Sequence, residues 1–201
     1  GPGGFRKDGH IAGISIATDS GYNEYFPINH QGGGNLNKEK VISFLLYIYS
    51  KKKKLVFANA MYDVEWLYSL DNRLTLTRTH EILDVLSIEH LLDENKLKYS
   101  LNSLAKFYLR KSKYEVELEQ AVLQIYQKQQ ERIKKEDVED IIKFESKLIQ
   151  VLFEMRKKGV RVDVDKAHKL YIELEKKQVH LQSKLNTLGG TIVNVWANAS
   201  L

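Results

Sequence analysis

Asp63 is the residue in this 201-residue chain whose local sequence is best suited to chemistry. Before it comes Leu55-Val56-Phe57-Ala58, a continuous apolar run behind Lys51 to Lys54, which reads as a short strand buried on both faces. The chain turns polar at Asn59, and from there Met61, Val64, Leu67 and Tyr68 fall at helical spacing. Asp63 therefore stands in the first turn of a helix, where the helix N-terminus favours negative charge. A carboxylate at such a strand-to-helix switch can ligate a metal ion; a plain helix-capping acid is the competing reading.

Other chemistry-bearing residues organise less well. Asp84 closes a short strand, Glu81 to Val85, and is a tempting second ligand. The six histidines, His10, His30, His80, His90, His168 and His180, show no metal-ligand spacing. Gly32-Gly33-Gly34 lacks the Lys-Ser/Thr of a phosphate cradle and reads as a loop. Tyr99, Phe107 and Tyr108 could stack bases, but their pattern fits core packing. With no cysteine in the chain, disulfides and thiolate metal sites are excluded.

The composition suits a soluble protein of a reducing, cytoplasmic compartment. No apolar run approaches membrane-span length, and the opening GPGGFRKDGH lacks a signal-peptide core. A formal charge of +5 and a pI near 9.1, with basic clusters at Lys51 to Lys54, Arg110 to Lys113, Lys134-Lys135 and Arg156 to Lys158, suit a polyanion partner, although such runs also form solvated faces.

The elements that must position Asp63 follow from periodicity. His10 to Thr18 and Tyr22 to Ile28 predict an antiparallel hairpin with Pro27 at an edge or strand end. A helix from Asn37 to about Ser50 presents Val41, Phe44, Leu45 and Ile48. Helical pieces are predicted at Val85 to Leu92 and Ser100 to Leu109. Beyond Tyr114 nearly everything is charged amphipathic helix: Val116 to Lys134, then Val138 to Lys158 with Val138, Ile141, Ile142, Leu148, Ile149, Leu152 and Met155 inward and Gly159 as cap. A last helix, N-capped by Asp165, carries Leu170, Leu174, Leu181, Leu185 and Leu188, fits an antiparallel helix packed on its neighbour, and ends at Gly189-Gly190. This order predicts an α/β layered domain with a mixed sheet, then an all-helical segment, with a boundary near residue 136.

Asn59-Ala60-Met61-Tyr62-Asp63 matches the Asn-x-x-Tyr/Phe-Asp second motif of DEDD-type 3′-to-5′ exonucleases. Its flanks, GPGGFRKDGHIAGISIATDSG with EYFPINH and GGGNL, and ILDVLSIEHLLDENKLKYSLNSLAKFYL, resemble the proofreading domain of family A DNA polymerases, particularly phage-type ones. From Phe144 through MRKKGVRVD to VNVWANASL the chain is similar to the start of the polymerase domain on its thumb side. The resemblance implies an RNase H-like exonuclease domain over residues 1–135 and the helical start of a polymerase domain over 136–201. It implies four carboxylates from three motifs holding two Mg²⁺ ions, which activate water and stabilise the charge of phosphodiester hydrolysis. Asp63 would be one of the four, catalytic and metal-binding, while Asn59 and Tyr62 would shape the floor under the terminal nucleotides; Asp84, whose place in the family pattern is not that of a metal carboxylate, would be structural. DNA is the implied partner, as a single-stranded 3′ end and as primer-template, inside a bacterial or phage-infected cell.

Two departures limit the expected activity. The first motif, Asp-x-Glu on a strand ahead of Gly1, is not in the chain, so that strand is expected to be missing from the sheet. In place of the third motif, Tyr-x-x-x-Asp, the sequence LEQAVLQIY puts Gln120 at the aspartate and Val116 at the tyrosine. Glu117 and Glu119 are the candidates to substitute, and the loop after Leu109 is short for the family. A lone carboxylate among lysines would not hold two divalent ions, so the expectation is weak or absent nuclease activity. A non-catalytic nucleic-acid-binding or spacer module of exonuclease-like shape is the alternative.

Overall fold

The computed structural model describes residues 9–51, 54–75, 80–112, 115 and 118–195, with the side chains of Leu118 and Glu119 excluded. Two compact units emerge, Gly1–Lys158 and Gly159–Leu201.

In the first unit, β1 (Gly13–Ala17) and β2 (Asn23–Pro27) form the predicted antiparallel hairpin, with Gly13 opposite Pro27 and Ala17 opposite Asn23. Pro27 ends its strand, where its missing N–H costs no ladder bond. Gly13 is required on steric grounds, since a Cβ there would lie 2.1 Å from the Tyr25 hydroxyl. Helix α1 (Lys38–Lys51) then buries Val41, Ile42, Leu45 and Tyr49.

Strand β3 (Lys54–Phe57), helix α2 (Ala60–Leu70) and strand β4 (Glu81–Asp84) make a parallel β-α-β unit, with Phe57 opposite Asp84 at its C-terminal end. Alternating residues of this strand pair serve two cores. Leu55, Phe57 and Ile82 join one with the hairpin, α1 and α2; Val56, Ala58 and Leu83 join another with α3 (Val85–Leu92), α4 (Leu101–Leu109) and α5 (Leu118–Glu136). A strand pair with apolar side chains on both faces needs a layer on each side, and the helices supply them. The sheet expected as a single mixed layer is found as two two-stranded pieces among the described residues.

Helix α6 (Glu139–Lys158) covers the outer edge of β4. Ser146 Oγ accepts from the Ile82 N–H at 2.7 Å, and Gln150 Nε2 donates to the His80 carbonyl at 2.7 Å, so side chains satisfy edge groups that a further strand would otherwise pair. Ile142 and Phe153 face the cores, whereas Ile141, Leu152 and Met155, expected inward, are exposed. The boundary expected near residue 136 falls between α5 and α6, both inside the first unit. In the second unit, α7 (Val164–Gly189) is N-capped by Asp163, whose carboxylate accepts from the Lys166 N–H at 2.9 Å; Asp165, expected in that role, lies in the first turn. Gly190 ends α7 with φ 64°, a conformation that favours glycine. No residue of α7 is buried.

Candidate functional site

The C-terminal ends of β3 and β4 bring two strand-to-helix turns side by side, and the candidate site lies there. Asn59, between β3 and α2, adopts the left-handed conformation (φ 72°, ψ 56°) and makes no side-chain cap to its helix. The missing cap comes from the neighbouring turn. Asp84 Oδ1 accepts from the Asn59 N–H at 3.1 Å and Oδ2 from the Ala60 N–H at 2.8 Å. Oδ1 also accepts from the Leu86 N–H at 2.9 Å, capping α3. Asp84, only 8% exposed, thus satisfies amide donors at the starts of two helices. The structural role expected for this residue is the one its geometry supports.

Asp63 faces this junction from the first turn of α2. Burial, followed by the charge of Asp84, pushes its carboxyl up to about 7. The stabilisation expected from the helix N-terminus is therefore outweighed, because desolvation and a neighbouring carboxylate both oppose ionisation. On the α1 side, burial and the Asp63 charge push the Tyr49 hydroxyl above its ordinary range. Tyr49 packs at 5.9 Å between ring centroids against His80, whose Nε2 lies 3.0 Å from the Tyr49 carbonyl.

Of the other expected site residues, Asn59 is tied to the site through its backbone. Tyr62 is 41% exposed and edge-on to Trp66 at 6.2 Å. Glu119 lies on α5, with its side chain outside the described residues, as are Tyr114, Val116 and Glu117. Among the described residues no group of three His, Cys, Asp or Glu could hold a metal ion.

Two buried carboxylates escaped the sequence reading. Glu65 on α2, fully buried, is ion-paired with Arg156 Nε of α6 at 2.6 Å. Glu89 on α3, also fully buried, anchors a larger network. Lys96 pairs with it, Tyr108 Oη donates to Oε2 at 2.7 Å, Gln129 Nε2 donates to Oε2 at 2.8 Å, and Arg132 Nη1 donates to Oε1 at 3.2 Å. Burial would raise the Glu89 carboxyl, but hydrogen bonds from Lys96, Gln129 and Tyr108 outweigh it and hold the group below its ordinary value. The signal for Glu89 was available: a lone acid inside the apolar run Val85 to Leu92 must find partners if that face is buried.

Among the described residues the site therefore pairs Asp63, whose carboxylate is open to a new ligand, with Asp84, whose two oxygens already accept three backbone amide hydrogens. No protein-family profile matches the chain. It is 27% identical to a DNA-directed DNA polymerase of Pseudomonas phage M6, with 98% of this chain aligned. It is 28% identical to the DNA polymerase DpoZ of Salmonella phage PMBT28, with 94% aligned. The first alignment runs over 234 positions while covering 98% of the 201 residues here, so the relative carries additional residues inside the matched region. The chain spans about a third, 34%, of the length of these curated relatives, and the curated proteins it resembles along nearly its whole length are phage DNA polymerases.

Proposed function

We propose that this chain is a portion of a phage-type, family A DNA polymerase acting in DNA replication. Residues 1–135 would correspond to its RNase H-like 3′-to-5′ proofreading exonuclease domain and 136–201 to the helical start of its polymerase domain. The observation that carries the reading is the coincidence of two things: the match of nearly this whole chain to phage DNA polymerases and the Asn59-to-Asp63 strand-to-helix turn with a partly buried carboxylate at its mouth.

The donor set among the described residues does not fit the pair of Mg²⁺ ions that such an exonuclease uses. Hard divalent cations require several oxygen ligands to offset their lost hydration, and among the described residues no group of three His, Cys, Asp or Glu could supply them. Asp84 already accepts three amide hydrogens. Among the described residues the proposed exonuclease centre is therefore incomplete, and no hydrolytic step is assigned to them. What supports the alternative, a non-catalytic nucleic-acid-binding or spacer module, is the same shortage of carboxylates.

Nucleotide release from 3′-labelled single-stranded DNA, in Mg²⁺ and separately in Mn²⁺, tests the reading. Release should be at background for both the wild-type chain and Asp63→Ala. Robust release by the wild type, abolished in Asp63→Ala, would show that the centre is complete after all.

A further inference from the structure

We propose that the outer surface formed by the α3–α4 loop and the C-terminal half of α4 binds single-stranded DNA. Phe107 is its stacking platform, and Lys98, Lys106, Arg110 and Lys111 are its phosphate contacts. The choice of DNA as the polyanion rests on the polymerase reading above; the surface itself is read from the fold.

Helix α4 turns Leu104 and Ala105 into the core. Phe107, beside the exposed Lys106, points the other way and is 49% exposed. Its ring is held in place by Tyr108, edge-on at 4.8 Å, whose hydroxyl is fixed between Glu89 and Arg132. The Lys96 ammonium sits 3.9 Å from the ring centroid and is itself paired with the buried Glu89. The result is an exposed, oriented aromatic ring attached to the most heavily bonded part of the core. Leu97, in the same loop, is 96% exposed.

The surrounding charge favours an anion. Lys98, Lys106, Arg110 and Lys111 are exposed and form no carboxylate ion pair among the described residues. The nearby acids are Asp93, Glu94 and Glu115; Glu115 accepts from the Ser112 N–H at 2.6 Å and also feels the charges of Lys111 and Lys106, which help hold its carboxyl below the ordinary value, so a bound phosphate competes with one carboxylate for these two lysines. A solvated helix face explains exposed lysines without any ligand. It does not explain an aromatic ring rigidly presented among them, and that combination is how proteins bind single strands: rings stack unpaired bases while cations follow the backbone. A duplex offers no free base face, so a single strand is the ligand selected.

The test is fluorescence anisotropy of labelled dT20 and of a 20-base-pair duplex with the 201-residue chain, across a salt series. The wild type should bind dT20 more tightly than duplex. Phe107→Ala and Phe107→Leu should each weaken dT20 binding at least about fivefold, and Phe107→Trp should retain it. The double variant K106E/K111E should flatten the plot of log K against log salt by about 1.4, two single-strand phosphate contacts. Thermal melts of each variant check folding, which a half-exposed ring should leave intact. If dT20 binds but these variants bind it like wild type, or polyglutamate competes as well as dT20, this surface is refuted while the polymerase reading stands. If dT20 does not bind even at low salt, both fail.

Discussion

Replacing Asp63 by asparagine should stabilise the chain, by a gain that opens above about pH 4 and is complete above about pH 7. The carboxyl is raised from 3.8 to about 7 by burial first and the charge of Asp84 second. A carboxyl whose folded value lies above its unfolded value opposes folding once ionised. The penalty is absent below the unfolded value near 4, grows as pH rises, and is complete above about 7. Three units at about 1.4 kcal/mol each set an upper bound of about 4 kcal/mol. Partial exposure of the group to water reduces this to about 2–3 kcal/mol. For a chain of this size that is a rise of roughly 4–12 °C in Tm at pH 8. The groups facing Asp63 are Asp84 and Tyr49, and an uncharged amide removes the repulsion with the first and the field on the second. Thermal or urea unfolding of both proteins from pH 4 to pH 9 measures the effect. Curves that converge near pH 4 and separate through pH 7 support the argument. A constant difference across the range, or a D63N variant less stable than wild type at pH 8, would refute it.

Two further substitutions probe how the same helices are held. Glu89→Gln leaves Arg132 and Lys96 without their buried carboxylate and should lower stability by about 3–5 kcal/mol, read as a drop in urea midpoint. Since the Glu89 carboxyl is held below its ordinary value of 4.5, its contribution is present above that pH and lost as pH falls through its folded value; the variant should lack this acid-side loss. Asn59→Ala places an ordinary side chain at φ 72° and should cost about 1 kcal/mol in unfolding free energy, whereas Asn59→Gly should stay within a few tenths. Equal losses for Ala and Gly would show that the Asn59 side chain, rather than its backbone conformation, matters.

What the sequence determined by itself is local. Alternation over His10 to Thr18, the β-like segment Tyr22 to Ile28, the continuous apolar run at Leu55, and the helical spacing of Val41, Phe44, Leu45 and Ile48 specified strands and helices because a period of 2 or of 3.6 puts apolar residues on one face, and an unbroken short run puts them on both. The Asn59-to-Asp63 turn was legible for the same reason, a change of period at a polar residue. The electrostatics of the site were decided only by tertiary structure. Asp63 and Asp84 are 21 residues apart in sequence and meet because parallel pairing sets Phe57 against Asp84. That meeting turns a first-turn acid expected to be stabilised by its helix into one pushed up to about 7. The apolar residues of α6 likewise predicted a helix but not its buried side, since Ile141 and Ile142 are equally hydrophobic and only packing against β4 selects the second. Periodicity records which residues can be buried; which charges share a buried junction depends on strand order and register, and a single sequence does not encode those locally.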